Sequence, residues 1–221
     1  MKCEGFACNE TAKDGTTVVG CDTVYAVNKE HFSHSWIPIE KTSQLLSVLD
    51  QYTLPNAVDI VLTGGEPLIY ANDAIFVAFL EALHLRGHQI TFETNGSLNV
   101  DFTKYPIYKE SIFALSVKLS NSLEPLSKRV KGDVIYSLAS NAKDAFFKFS
   151  IDAESITLGL EDEIHEICMH APKTKVYCMP VGGNKEEVEK NTEPLIEFCK
   201  AKGYNFSDRL HIRVWDVNKG V

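Results

Sequence analysis

Long apolar runs are missing from this chain of 221 residues; nothing approaches the ~20 residues of a membrane-spanning helix. No signal-peptide pattern leads it, so a cytoplasmic location without membrane contact is the expectation. Internal repeats, low-complexity tracts and Pro/Gly/Ser linkers are absent, which leaves a single domain over residues 1–221 as the simplest organisation. Basic charge is scarce. The 22 Lys and Arg are outnumbered by 30 Asp and Glu, and a net charge of −8 argues against a protein that binds nucleic acid directly through its backbone. A local basic pocket for a small anion remains compatible with that balance. With 44% apolar and 24% charged residues the chain is neither disordered nor fibrous, and it is long enough to bury a sizeable core.

What is present is an uneven distribution of thiols. Three of the six cysteines fall within the first 21 residues. Cys168, Cys178 and Cys199 lie in the apolar segments EICMH, KVYCMP and LIEFCKAKG and read as buried core thiols. Cys3, Cys8 and Cys21 stand among Gly, Asn and Thr and are expected on a loop within residues 1–40. Where thiols stay reduced, such clustering points to metal before disulfide.

From about residue 42 the pattern alternates between helix and strand. TSQLLSVLDQY puts Leu45, Leu49 and Tyr52 on one helical face, VDIVLTGG is an apolar strand ending in glycines, and a helix over roughly Asp73–Arg86 is closed by Gly87. QITFETNG, IFALSVKLS, AFFKFSID and TKVYCMP read as strands, and EDEIHEICMHA as a helix. Glu193–Lys202 reads as a helix with Thr192 at its N-cap and Pro194 in its first turn, and RLHIRVW as the last strand. Little helix is expected between residues 90 and 151. His31 and His34 are expected to be exposed on a loop, and NKEEVEKNTE to be a solvated surface. Apolar strands separated by helices predict a parallel α/β sheet, forming a partial barrel of about six strands over residues 41–221. Function in such sheets collects on the loops after the carboxyl ends of the strands.

Four motifs sit at those ends: TGGEP, ETNG, KLSNS and MPVGGN. In the first, Gly64 and Gly65 let the backbone approach a ligand closely, and Glu66 adds an acceptor, a combination that suits the amino group of a small zwitterion as well as it suits a plain glycine turn. Glu93 is placed to accept bonds from ribose hydroxyls, or belongs to a surface Asn-Gly turn. Lys118 is a charge within an apolar strand, which favours an anionic ligand.

The cysteine cluster, a strand ending in GGEP and ETNG at the next strand end resemble the radical S-adenosylmethionine enzymes. VLTGGEPL, FETNG and SVKLSNS, with Cys21-Asp22-Thr23 at the third cysteine, are more narrowly similar to the 7-carboxy-7-deazaguanine synthase family from about residue 3 onward. GGEP is shared by many radical enzymes; CDT together with KLSNS is more specific. The resemblance implies an α/β fold of the partial (β/α)6-barrel type with few helices, lacking its first strand. In the family three cysteines hold a 4Fe-4S cluster, and the open iron takes the amino and carboxylate groups of S-adenosylmethionine. The family's usual spacing is three residues between the first two cysteines and two between the last two, whereas 17 residues separate Cys3 from Cys21 here, so an insertion is required. Either Cys3, Cys8 and Cys21 are the ligands, or Cys3 and Cys21 are the second and third, with the first upstream of Met1. The second assignment is preferred, and the chain is then expected to lack about 25–30 residues, including a strand and a GEG-type substrate loop.

The resemblance further implies that Thr23 binds Mg2+ at the substrate and that Asp22 orients its loop. It implies substrate contacts from Thr63 and from the terminal carboxylate of Val221. Contacts to S-adenosylmethionine are implied for Gly65, Glu66 and Glu93, for Ser116, Val117 and Lys118, and for Met179, Pro180, Val181 and Gly182. The implied activity is that of a lyase converting 6-carboxy-5,6,7,8-tetrahydropterin to 7-carboxy-7-deazaguanine with release of ammonia, in queuosine and 7-deazapurine biosynthesis. A flavodoxin or ferredoxin as electron donor and a homodimer are carried over from the family. Competing readings are another radical enzyme, such as a glycyl-radical activating enzyme, which leaves CDT and KLSNS unexplained, and a zinc-stabilised binding domain, which prefers compact cysteine pairs and a fourth ligand. An inert fragment that keeps the sheet but binds no cluster is the third.

Overall fold

The structure is a computed structural model that describes residues 1, 3–6, 8–52 and 57–218. The thiol-rich start is not a plain loop. β1 (Cys8–Thr11) and β2 (Thr17–Gly20) form an antiparallel hairpin in which Cys8 faces Gly20. Asp14-Gly15 makes its turn: Gly15 holds φ +86°, and the Asp14 carboxylate accepts the Thr16 N–H at 3.0 Å. After α1 (Lys29–Phe32), which includes His31, this segment closes on a small core of Ala12, Val18, Val24 and Phe32.

The remainder is α/β. It runs through α2 (Thr42–Leu49), β3 (Asp59–Leu62), α3 (Ala74–Leu85), β4 (Gln89–Thr94), β5 (Ile112–Leu115), α4 (Leu126–Arg129), α5 (Gly132–Asn141) and β6 (Asp144–Ile151). It ends with α6 (Ala153–Thr157), α7 (Leu160–Cys168), β7 (Lys175–Pro180), α8 (Lys185–Lys202), β8 (Asn205–Phe206) and α9 (Leu210–Trp215). Strands β3 to β8 lie in sequence order in one six-stranded sheet, and every neighbouring pair is parallel. The sheet is open, with β3 and β8 at its edges. Among the described residues no helix is long and apolar enough to cross a membrane.

Sequential order with right-handed crossovers puts the connections on one face of the sheet. On that face Phe92, Phe113, Phe147 and Phe149 are fully buried, and they meet Leu80 and Leu83 of α3, Ile135 and Leu138 of α5, Ile164 and Ile167 of α7, and Leu195 of α8 in one continuous core. Each such side chain contributes roughly 1.5–3 kcal/mol by leaving water. Cys178 and Cys199 belong to this core and Cys168 packs against it, as expected; burial pushes the Cys168 thiol up to about 11. Because side chains alternate along a strand, Glu93, Lys148, Ser150 and Met179 turn to the opposite face.

Several expected elements shift. Tyr52 lies past the end of α2 and is exposed. The stretch from 90 to 151 contains α5, whose Val134, Ile135 and Leu138 form a buried helical face. α8 starts eight residues earlier than expected, because Asn184 caps the Glu187 N–H at 2.9 Å while Glu187 reaches back to the Gly183 N–H at 2.7 Å. Thr192 is therefore inside the helix, bonded to the Val188 carbonyl. The run NKEEVEKNTE is half of this helix, with Val188 fully buried. RLHIRVW is helical rather than extended: only Ile212 of α9 is buried, and the last strand is the short β8 before it.

Asp152 caps α6, with Oδ1 accepting the Ser155 N–H at 2.7 Å and Oδ2 accepting Asn121 Nδ2 at 2.9 Å and Ser155 Oγ at 2.8 Å. Burial works to raise its pKa, but these bonds outweigh it and hold the carboxyl below its ordinary 3.8. Its stabilisation is therefore complete above that value and is lost as pH falls through the lower folded-state pKa. Asp152→Asn is expected to be about 1–2 kcal/mol less stable than wild type at neutral pH, with the difference closing as pH falls through the lowered folded-state pKa. Urea unfolding across that range checks it; a gap that persists in acid refutes it.

Candidate active site

A cavity of about 570 Å³ opens at the carboxyl ends of the strands. All six strands of the main sheet or the loops after them reach it: Thr63–Glu66 after β3, Glu93–Asn95 at the end of β4, and Ser116 and Lys118 after β5. Lys148 and Ser150 of β6, Met179, Val181 and Gly182 around the end of β7, and Arg209 and His211 after β8 complete the sheet side. The N-terminal segment supplies the rest, with Cys3, Phe6, Cys8, Cys21, Asp22 and Thr23 lining the same space.

Backbone geometry shapes the first loop. Gly64 and Gly65 both hold left-handed φ, +83° and +58°, which side-chain-bearing residues adopt only with strain, and a Cβ on Gly65 would stand 3.1 Å from Val27 Cγ1. Glu66 is not directed at a ligand. It is 9% exposed, and its carboxylate accepts Thr94 Oγ1 at 2.7 Å, the Asn95 N–H at 2.8 Å and the Leu68 N–H at 3.1 Å. It fastens the TGGEP turn to the ETNG turn and acts as a positioning residue. Glu93 meets Lys148 Nζ at 2.7 Å, reaching past the small Ala114 of β5 between them.

The KLSNS loop carries the thiol segment. Gly5 packs so closely on it that a Cβ there would lie 2.0 Å from the Asn121 carbonyl oxygen. The Cys3 N–H donates to Glu124 Oε1 at 3.0 Å, and Lys118 Nζ sits 5.9 Å above the Phe6 ring while donating to Ser116 Oγ at 3.3 Å. Asn121 Nδ2 donates to Asp152 and to the Ser150 carbonyl, and a buried ion pair between Arg129 and Glu163 braces the loop from below.

Cys3 is 2% exposed, and burial pushes its thiol up to about 11 against the pull of Lys118. Burial, then Asp22 and Cys21, also raise the Cys8 thiol, so Cys21 is within electrostatic reach of both other cysteines. Cys21 Sγ and Thr23 Oγ1 share a hydrogen bond of 3.2 Å. Three thiols border one cavity, and thiolates are the ligand type that iron–sulfur centres take. They are not drawn into a compact metal-holding group: among the described residues no three Cys, His, Asp or Glu side chains stand close enough for that.

Of the residues named from sequence, Cys3, Cys8, Cys21, Thr23, Thr63, Gly65, Glu66, Glu93, Ser116, Lys118, Met179, Val181 and Gly182 all line this cavity. Val117 and Pro180 do not; Pro180 is on the buried phase of β7, and Val117, just past β5, is part of the main core. Val221 lies outside the described residues. Lys148, Arg209, His211 and Glu187 were not expected here. Lys148 was signalled by the lone charge in FFKFS, opposite in phase to the buried Phe147 and Phe149; Arg209 and His211 were hidden by a helix that reads as a strand.

No protein-family model matches the chain. In structure it is similar to SuiB of Streptococcus suis. The TM-score is 0.50 against SuiB bound to S-adenosylmethionine, over 79% of this chain and 43% of that one, and 0.55 against SuiB bound to its precursor peptide, over 86% and 45%, at 14% identity in each case. The chain thus spans less than half the length of those proteins, and the likeness is one of fold. The class so defined is a parallel α/β protein of SuiB-like architecture with a thiol-fringed cavity at its strand ends. In sequence the chain is similar to the 7-carboxy-7-deazaguanine synthase of Rhodopirellula baltica, 27% identical over 213 residues, covering 91% of this chain and 75% of that protein. The synthase of Halobacterium salinarum is likewise 27% identical over 207 residues, covering 85% and 77%. The chain is therefore similar in sequence to 7-carboxy-7-deazaguanine synthases, the family its motifs resemble.

Proposed function

We propose that this protein is a radical S-adenosylmethionine synthase that converts 6-carboxy-5,6,7,8-tetrahydropterin to 7-carboxy-7-deazaguanine. The observation that carries the reading is convergence: CDT, TGGEP, ETNG and SVK are separated by up to about a hundred residues in sequence, yet each contributes residues to one cavity of a size that takes small-molecule ligands. Loss of ammonia alone accounts for the change in composition, so the overall conversion needs no net oxidant.

Cys3 and Cys21 would hold a 4Fe-4S cluster, with Cys8 a further thiol of the same cavity. When bound, the cluster supplies the electron that cleaves S-adenosylmethionine, and a flavodoxin or ferredoxin renews it. The chain's own groups bind and orient. The bare peptide groups of Gly64 and Gly65 and the Ser116–Lys118 stretch receive the amino acid end of the nucleotide, while Glu93, held by Lys148, presents its free oxygen to the ribose. Thr23 supplies an oxygen to Mg2+ at the pterin, and Thr63 borders the same ligand. The sheet floor and the docked thiol segment keep bulk water and stray hydrogen donors away from the reacting carbon.

Anaerobic reconstitution with iron and sulfide, followed by dithionite, S-adenosylmethionine, Mg2+ and the carboxypterin, tests this. A brown protein that forms the deazaguanine is expected, and Cys21→Ala is expected to lose both iron and product by at least about tenfold, as removal of a cluster ligand should. A colourless protein holding stoichiometric zinc, or an iron-loaded one that cleaves S-adenosylmethionine and leaves the pterin unchanged, overturns the reading.

A further inference from the structure

Arg209 stands at the start of α9 with its side chain only 16% exposed. Its backbone is pinned: its N–H donates to Asp208 Oδ1 at 2.8 Å, and its carbonyl accepts from Ile212 and Arg213. The guanidinium is not matched to that enclosure. One terminal nitrogen reaches Asp22 Oδ2 at 3.3 Å, a long contact to a carboxylate that is 62% exposed, and the enclosed Nε has no hydrogen-bond partner among the described residues. A guanidinium carries five donors in a planar fork and is costly to enclose without acceptors. The other cavity cations are better provided for, since Lys148 is neutralised by Glu93 and Lys118 is engaged by Ser116 and the Phe6 ring.

Position adds to this. Arg209 lines the cavity, and through Asp22 it adjoins Thr23. The fork geometry fits a carboxylate through two parallel bonds. We propose that Arg209 binds the carboxylate of the substrate, with Asp22 as its counter-ion while the cavity is free of ligand. The assignment rests on the carboxypterin reading above. It makes Arg209 the residue that selects a carboxylated pterin over its uncarboxylated counterpart.

The experiment is equilibrium binding of 6-carboxytetrahydropterin and of tetrahydropterin to the reconstituted, S-adenosylmethionine-loaded protein under anaerobic conditions. Wild type, Arg209→Gln and Arg209→Lys are compared, each with a thermal melt. Wild type is expected to prefer the carboxylated ligand by about 10–100-fold, the range of a charge-assisted pair. In Arg209→Gln the preference is expected to fall to within about threefold, with affinity for tetrahydropterin nearly unchanged, and Arg209→Lys to lie between, since it keeps the charge and loses the fork. A folded Arg209→Gln or Arg209→Lys that keeps the full preference overturns the assignment and leaves the substrate reading standing. Wild type that binds neither pterin, or binds both equally, overturns the substrate reading and this assignment together.

Discussion

A Gly5→Ala substitution is expected to free the N-terminal thiol segment while leaving the sheet folded. The added methyl would lie 2.0 Å from the Asn121 carbonyl oxygen and 2.8 Å from the Ser122 carbonyl carbon. Both are backbone atoms, so no rotamer change relieves the clash. They belong to the KLSNS loop, which Asn121, Asp152, Arg129 and Glu163 hold in place, so the segment bearing Cys3 must move instead. Overpacking of this kind costs about 1–3 kcal/mol, enough to undock a short segment. Among the described residues, none of 1–6 belongs to the main core, so the melting temperature should change little. Cys3 supplies the readout. Its thiol, at about 11 when buried, returns toward its ordinary 9.0 on exposure, so its thiolate fraction near neutral pH rises on the order of a hundredfold, and its alkylation rate with it. Mass-spectrometric labelling of Cys3 follows this without any cluster present, and reconstituted iron should fall in parallel. Unchanged labelling of Cys3 would show that Gly5 is not what docks the segment.

Glu66→Ala is expected to destabilise the whole fold. Removing this carboxylate, whose residue is only 9% exposed, strands the Thr94 hydroxyl and the N–H groups of Asn95 and Leu68. Hydrogen bonds to charged groups are worth about 1.5–3 kcal/mol each and are not additive, so a loss of roughly 3–5 kcal/mol is expected, or on the order of 10 °C in melting temperature. Glu66→Gln should lie between, because its amide keeps one acceptor oxygen and turns a donor toward another donor. The comparison is diagnostic. A residue whose carboxylate served only a ligand would melt like wild type in both variants and lose binding alone.

These two positions show what sequence can carry. The strands over Gln89–Thr94, Asp144–Ile151 and Lys175–Pro180 were legible because a face buried under helices forces large apolar residues at every second position. The four motifs were placed at the rim by their position after the carboxyl ends of those strands. Packing between distant segments was not legible. Gly5 gives no local sign that a loop more than a hundred residues later lies against it, and Glu66 reads as a ligand until Thr94 and Asn95 are seen to occupy it. Helix α9 was misread because Leu210, Ile212 and Val214 alternate like a strand, although only Ile212 meets the interior. That misreading hid Arg209. The start of α8 was misplaced because Pro194 resembles a first-turn proline, while the operative signal was Asn184 with Glu187 three residues on.

The hairpin between Cys8 and Gly20 has a consequence for how such proteins diverge. Paired strands close like a zip, so residues added or removed in matched numbers on its two arms leave the closed end where it was. The interval between two thiols along the chain can therefore drift while their places at the rim are kept. A search that counts residues between cysteines would pass over relatives whose rims superimpose on this one.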